Sequence, residues 1–128
     1  MKFIALLFLV LTLNSCFQHS RDCQDYKTGT FQFNYTINGI EKTGMFKRTD
    51  SYSIDYFDNK IDSSSVRWIN DCEFVLKKIN PKSRAEEDAI HMKILSTTDS
   101  SYTFEYQLAL KKPNQNQIVK KGLAIKIE

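Results

Sequence analysis

The chain has 128 residues, with 18 Lys and Arg against 15 Asp and Glu, two His, three Cys, four Gly and two Pro. This length fits one small domain and excludes a multidomain machine. The formal net charge of +3 is low for a protein that binds nucleic acid without sequence preference, and no nucleic-acid recognition motif is present. The sequence therefore predicts no nucleic-acid partner.

The N-terminus has the pattern of an export signal. Lys2 precedes an apolar run over residues 3–13, as a basic n-region precedes the apolar core of a signal peptide. The run would rise only about 16 Å as a helix, whereas a bilayer core of about 30 Å needs about 20 residues. We therefore predict a cleaved signal peptide over residues 1–15, whose removal leaves 113 residues with a formal charge of +2.

The signal ends in Leu13-Asn14-Ser15-Cys16. This ending resembles the lipobox of bacterial lipoproteins, with Asn14 as its one departure. The resemblance implies that Cys16 carries a diacylglyceryl group on its thiol and becomes the first residue, with an acylated amino terminus (fatty acids such as palmitate). Several acyl chains, at about 0.8 kcal/mol per buried CH₂, would give a stable anchor. The alternative is an ordinary secretory peptide in which Cys16 is incidental.

Two further cysteines, Cys23 and Cys72, form an even pair in a chain predicted to be exported. Oxidising compartments favour disulfides, and we expect a structural one here. Free thiols and a metal site remain as alternatives, but there is no Cys-x-x-Cys and only His19 and His91 could add ligands. Residues 16–26 show no sustained apolar period and are predicted to be a lipidated tether to a single β domain over 27–128.

From about residue 28 onward the apolar residues alternate with a period of two, which is typical of half-buried strands. The first run ends at Asn38-Gly39, a strong hairpin turn signal, and a return strand over about 40–49 is expected. The next alternating set is Tyr52, Ile54 and Tyr56, followed by a turn at Asp58-Asn59.

The second half of the chain continues the same pattern. A longer run covers 66–76, Asn80-Pro81 ends it, and residues 83–86 fit a capping box that predicts at most one helical turn near 84–88. Further strands are predicted around 90–94, over 102–110 and at the C-terminus, where Val119, Leu123, Ile125 and Ile127 are expected to form the apolar face.

Seven to eight strands joined in chain order predict an all-β antiparallel up-and-down meander that buries its apolar faces by curling. We favour a lipocalin-like barrel or half-barrel, and leave a sandwich open. Such barrels can hold one small molecule. Trp68, Tyr102 and Tyr106 are the candidate ligand-binding residues, although Trp68 would equally suit a core position packed on a Cys23–Cys72 bridge.

No residues with a catalytic or metal-binding pattern emerge. His91 lacks a nucleophile and partner acid in a triad order. The spacing of a calcium loop is not met by Asp55, Asp58 and Asp62. From these observations together we predict no metal, no cofactor and no enzyme activity.

Two lysine pairs flank the polar connection before the last strand: Lys111 and Lys112, then Lys120 and Lys121. They are candidates for contact with anionic headgroups. Alternatively, they are edge lysines that discourage aggregation between sheets.

Three segments, 28–33, 68–76 and 93–106, resemble small lipoproteins of flavobacteria-like bacteria that have no known function. Some members carry the label of DNA topoisomerase IV. We regard that label as a misnomer, because 113 residues cannot house ATPase, cleavage and gate domains and no paired Arg-Tyr site is evident. The resemblance supports the predicted fold and location and implies no mechanism.

We therefore expect a monomeric lipoprotein on the periplasmic face of the outer membrane, with inner-membrane anchoring left open. Its partners would be the membrane and either a small apolar ligand or an envelope protein. A purely structural or assembly lipoprotein with a filled core is the alternative.

Overall fold

The computed structural model describes residues 21–128, so the predicted signal peptide and Cys16 lie outside the described residues. The eight strands are β1 Gly29–Ile37, β2 Ile40–Arg48, β3 Tyr52–Phe57, β4 Lys60–Asn70, β5 Glu73–Lys78, β6 Ile90–Thr97, β7 Ser101–Leu108 and β8 Lys120–Lys126. Each strand pairs antiparallel with the next, and β8 returns to β1 to close a barrel. The predicted all-β antiparallel meander is confirmed, in its fully closed form.

Two of the hairpins turn on residues with positive φ, as the sequence predicts. Asn38 and Gly39 have φ of 53° and 76°, and Asp58 and Asn59 have φ of 49° and 57°. Both central residues of a type I′ turn need positive φ, and Asn, Asp and Gly adopt it at the lowest cost. Both turns lie at the same end of the barrel, which we call the mouth, together with the long connections 79–89 and 109–119.

Short 3₁₀ turns occur at both ends of the barrel. The one at the mouth, Ala85–Glu87, lies within the predicted helical segment, and its Glu86 N–H donates to Ser83 Oγ at 3.2 Å. The other, Cys23–Tyr26, falls inside the segment predicted to be a tether. Because Cys23 and Tyr26 are both buried, the folded domain begins earlier than the predicted boundary at residue 27.

The N-terminal 3₁₀ helix covers the end of the barrel opposite the mouth, which we call the closed end. Its residues pack with Phe31, Ile94, Tyr102 and Ala124 in the main core cluster. The connections at this end, 49–51, 71–72 and 98–100, are short. The well-packed core is therefore concentrated in one half of the barrel.

A disulfide joins Cys23 to Cys72, with 5.2 Å between their α-carbons. The bond ties the N-terminal 3₁₀ helix to the connection between β4 and β5. The predicted pairing is confirmed.

Two strands present the face opposite to the one expected from their apolar residues. Tyr52 and Tyr56 on β3 are exposed, and so are Leu123, Ile125 and Ile127 at the C-terminus. The buried positions are Ser53 on β3 and Ala124 on β8. Apolar alternation located these strands but gave the wrong inner face, because the face that points inward follows from the pairing with neighbouring strands, where Ser53 lies opposite Arg48 and Ala124 opposite Tyr102.

Aromatic rings fill the space above two glycines. Phe33 pairs with Gly44 across β1 and β2, and Phe104 pairs with Gly122 across β7 and β8. A Cβ atom on Gly44 would lie 2.5 Å from Phe33 Cζ, and one on Gly122 would lie 2.6 Å from Phe104 Cζ. Each glycine therefore allows the ring opposite it to lie close to the backbone of the neighbouring strand.

The mouth half of the β1–β2 hairpin is only loosely joined to its neighbours. β1 pairs with β8 at Phe31 and Gln32, and β2 pairs with β3 only from Met45 onward. The hairpin reaches the β3–β4 turn through side chains: the Asp58 N–H donates to Tyr35 Oη at 2.9 Å, and Lys42 lies 3.3 Å from the Asp58 carboxylate. The barrel wall is thus least continuous near the mouth.

Within residues 21–128, no helix has the length and apolar character needed to cross a bilayer.

Candidate functional site

A cavity of about 310 Å³ lies inside the barrel. This volume is at the small end of the range for ligand pockets in proteins. Most of its wall is aromatic or aliphatic, with three polar side chains among the lining residues. The lining residues are Phe33, Phe46, Arg48, Ser53, Asp55, Leu76, Ile90, Met92, Tyr102, Phe104 and Tyr106.

Arg48 forms the floor of the cavity, where β2 reaches the closed end. It is only 3% exposed. An arginine buried to this extent needs partners for its charge and its N–H groups. Its Nε donates to the Lys27 carbonyl at 3.0 Å, one terminal nitrogen donates to the Tyr26 carbonyl, and Nη1 donates to Tyr102 Oη at 3.1 Å. All three guanidinium nitrogens therefore have acceptors within the fold.

Aromatic rings surround the same guanidinium. Its central carbon lies between 4.7 and 5.7 Å from the centroids of five rings. Cation–π attraction at these distances offsets part of the cost of removing the charge from water. The five rings are those of Phe31, Phe46, Trp68, Phe74 and Tyr102.

Asp55 supplies the acidic group of the cavity wall. Burial raises the pKa of its carboxyl above the usual aspartate value, against the lowering effect of a hydrogen bond from Ser53. That bond runs from Ser53 Oγ to Asp55 Oδ1 at 3.3 Å. Because burial disfavours the charged form, a positive group entering the cavity would stabilise the carboxylate.

A second carboxylate, Asp62 on β4, stands directly opposite Asp55 in the register of the two strands. Opposed residues of neighbouring strands share a face of the sheet, and like charges there repel. Lys78 lies 3.5 Å from Asp62 and 2.9 Å from Glu86. The lysine therefore offsets the charge of Asp62 and Glu86 and makes no ion pair with Asp55.

Two of the three predicted ligand-binding residues line the cavity, and one does not. Tyr102 lies at the floor beside Arg48, and burial raises the pKa of its hydroxyl. Tyr106 lies nearer the mouth, four residues further along β7. Trp68 packs instead at the closed end, 4.5 Å from the Phe74 ring and against the core cluster that contains Cys23.

The predicted headgroup lysines lie at the mouth. Lys111, Lys112 and Lys120 line a second pocket of about 270 Å³ between the 109–119 connection and the barrel rim, while Lys121 pairs with Glu105 in the β7–β8 ladder. Lys112 lies 2.7 Å from Asp88. These side chains and Cys23 are at opposite ends of the barrel, so the lysines and a membrane anchor near Cys23 would face different directions.

The remaining candidates show no convergent chemistry. His91 Nε2 lies 3.2 Å from Glu73 Oε1 on the barrel wall, and a hydrogen bond from Asn70 lowers the pKa of Glu73. No group of three or more His, Cys, Asp or Glu in the described part of the chain is arranged to hold a metal ion.

Sequence reasoning missed Arg48, Ser53 and Asp55 as cavity residues. A signal was available in the β3 segment, where Ser53, Asp55 and Phe57 alternate with the three apolar residues Tyr52, Ile54 and Tyr56. Apolar periodicity predicts that this face is exposed to solvent. In the closed barrel it points inward instead.

The chain matches no protein-family model, no curated protein and no solved structure.

Proposed function

We propose that the protein is an envelope lipoprotein, anchored through Cys16, that binds a small apolar ligand inside its barrel. The observation that carries the binding role is the cavity of about 310 Å³ with a largely aromatic and aliphatic wall. A barrel that served only as a structural element would gain stability by filling this space, because voids forfeit packing contacts. The proposed role is binding and not catalysis, as the sequence predicts.

The position of the N-terminus supports a definite orientation. Cys16 precedes Cys23 by seven residues, which span at most about 25 Å when extended, and Cys23 is fixed at the closed end by its disulfide. A lipid on Cys16 would therefore turn the closed end toward the membrane and the mouth toward the aqueous compartment. We propose the periplasmic face of the outer membrane as that location.

Ligand binding is tested with a neutral fluorescent probe, N-phenyl-1-naphthylamine, on the lipid-free domain bearing its disulfide. We expect enhanced emission with the parent protein. Leu76→Trp, which adds bulk to the cavity wall, should abolish the enhancement, and Lys77→Trp on the outer face of the same strand should retain it. Near-ultraviolet circular dichroism checks that each variant is folded. No enhancement with the folded parent would favour the structural role.

Anchoring is tested by mass spectrometry of the protein purified from its own membrane. We expect a diacyl or triacyl mass on Cys16 and a mature chain that begins there. An unmodified Cys16 would overturn the anchor, and the same spectra would reveal any retained small molecule.

A further inference from the structure

The polar groups of the cavity are arranged in order of depth. Ser53 pairs with Arg48 at the floor, and Asp55 is two residues further along β3, in register with Phe46. Two residues of a strand advance about 7 Å. A ligand that enters from the mouth therefore meets the Asp55 carboxyl before it reaches the guanidinium of Arg48.

Arg48 is a poor receptor for an anionic ligand. Its three nitrogens already donate to two backbone carbonyls and to the hydroxyl of Tyr102. These bonds use three of the five N–H groups of the guanidinium, and the aromatic rings around it restrict the approach of an anion to the other two. The guanidinium at the floor is therefore already engaged in hydrogen bonds within the protein.

Asp55 retains unused capacity to accept hydrogen bonds. A carboxylate offers about four lone-pair sites, and the one hydrogen bond to this side chain among the described residues comes from Ser53. No Lys, Arg or His nitrogen in residues 21–128 forms an ion pair with it, and Asp62 faces it across the ladder. Lys78 already offsets the charge of Asp62, whereas a positively charged group in the cavity would pair with Asp55 itself.

The other walls suit a positively charged group with an apolar body. The aromatic faces near Asp55 attract cations through their quadrupoles, and they bury apolar surface as well. A carboxylate combined with several aromatic rings is a recurring arrangement for organic ammonium ions. The rings that line the cavity are those of Phe33, Phe46, Tyr102, Phe104 and Tyr106.

We propose that the ligand of this cavity is a small organic ammonium ion, with its charged nitrogen at the Asp55 carboxylate and its apolar body among the aromatic rings. This inference rests on the proposed binding function and specifies the chemical class of its ligand.

The test compares three probes of equal length: 4-phenylbutylamine, which is an ammonium ion at pH 7, 4-phenylbutanol and 4-phenylbutyrate. Binding to the lipid-free, disulfide-bonded domain is measured by calorimetry, and displacement of N-phenyl-1-naphthylamine checks that each probe occupies the cavity. We expect the ammonium ion to bind at least about tenfold more tightly than the alcohol, as a hydrogen bond to a charged group allows, and the carboxylate to bind most weakly.

Asp55→Asn is the diagnostic variant, because it keeps the shape of the side chain and removes its charge. It should weaken binding of the ammonium probe by about tenfold or more and change the affinity for the alcohol by less than about twofold. Asp50→Asn, at an exposed position between β2 and β3, is the matched control and should change neither.

The outcomes separate the two proposals. If the alcohol or the carboxylate binds as tightly as the ammonium ion, or if Asp55→Asn leaves the ammonium affinity unchanged, the ligand class is overturned and the binding function stands. If the folded domain binds none of the three probes and no naphthylamine, both proposals are overturned.

Discussion

Arg48 on β2 and Tyr102 on β7 are joined inside the barrel, where the guanidinium Nη1 donates to the phenol oxygen at 3.1 Å. The two residues are separated by 54 positions in the chain, and both are almost fully buried. Their hydrogen bond crosses the barrel interior and links the floor of the cavity to the N-terminal 3₁₀ helix, whose Tyr26 carbonyl accepts from the same guanidinium.

Loss of this guanidinium should be costly. We expect Arg48→Met to lower the free energy of unfolding by about 3 kcal/mol, because it leaves two carbonyls and the Tyr102 hydroxyl without their charged donor. Urea unfolding measures the change. Arg67→Met on the exposed side of β4 is the control and should change stability by less than about 0.5 kcal/mol. Equal effects of the two substitutions would contradict a structural role for Arg48.

Gly122→Ala should destabilise the barrel by about 1–3 kcal/mol, since the new methyl group would lie 2.6 Å from Phe104 Cζ and force the ring to move. The double variant Gly122→Ala/Phe104→Leu should lose less than the sum of the two single substitutions, because the smaller side chain removes the clash. Chemical unfolding of all four proteins measures this coupling. Strict additivity would show that the ring is not held against the glycine.

Removal of the disulfide should destabilise the domain strongly. The Cys23→Ser/Cys72→Ser variant frees a loop with a sequence separation of 49, for which chain entropy gives about 4 kcal/mol. Thermal and urea unfolding of the oxidised parent and the double variant measure the loss. The reduced parent is the control for the serine substitutions and should resemble the variant. A loss below about 1 kcal/mol would mean that the 3₁₀ helix holds its place without the bond.

Asp55 should lower the free energy of unfolding as pH rises, which is opposite to the effect of a carboxylate in a salt bridge. Burial raises its pKa in the folded protein above the ordinary aspartate value of 3.8, so the protonated form is favoured by folding. The contribution to stability is fully present below the unfolded pKa and is lost as pH rises through the folded pKa. Arg48 and Lys78 oppose this shift, and Asp62 adds to it.

We therefore expect Asp55→Asn to be more stable than the parent at pH 7, with a difference that shrinks as pH falls through the raised pKa of the folded protein and levels off below the ordinary aspartate value of 3.8. Urea unfolding of both proteins across this pH range measures the difference. The effects of all other carboxylates cancel in it, because both proteins contain them. Asp50→Asn should show no such trend. A variant that is less stable than the parent at pH 7 would mean that the Ser53 hydrogen bond outweighs the burial of charge.

Local chemistry made much of the fold predictable. Asn38-Gly39 and Asp58-Asn59 specify their hairpin turns because few other residues accept positive φ. The period-two alternation located the strands, and an even pair of cysteines in a chain predicted to be exported indicated the disulfide. The predicted lipid anchor at Cys16, the envelope location and the resemblance to flavobacterial-type lipoproteins remain predictions.

The candidate site was only partly predictable. Tyr102 and Tyr106 were expected to line a cavity because they lie on the apolar face of the clearest strand. The sequence allows two positions for Trp68, in the cavity wall or in the core against the Cys23–Cys72 bridge. β4 carries it to the closed end, where its ring packs on Phe74 and against the core cluster that contains Cys23. The depth of a side chain along the barrel axis depends on the register between strands, which the alternation does not encode.

By itself, the sequence determined that the chain is an antiparallel β meander with one disulfide and two tight turns, because these features arise from neighbouring residues and residue composition. Only the tertiary structure decided that the barrel closes, that Ser53 and Asp55 face inward while Tyr52 and Tyr56 face outward, and that Arg48 is buried among aromatic rings. The physical reason is that directly opposed residues of neighbouring strands share a face, so the inner face of a strand depends on its register with strands that are distant in the chain. Ser53 lies opposite Arg48 and Asp55 opposite Phe46, and these pairings are not encoded in the local alternation of β3.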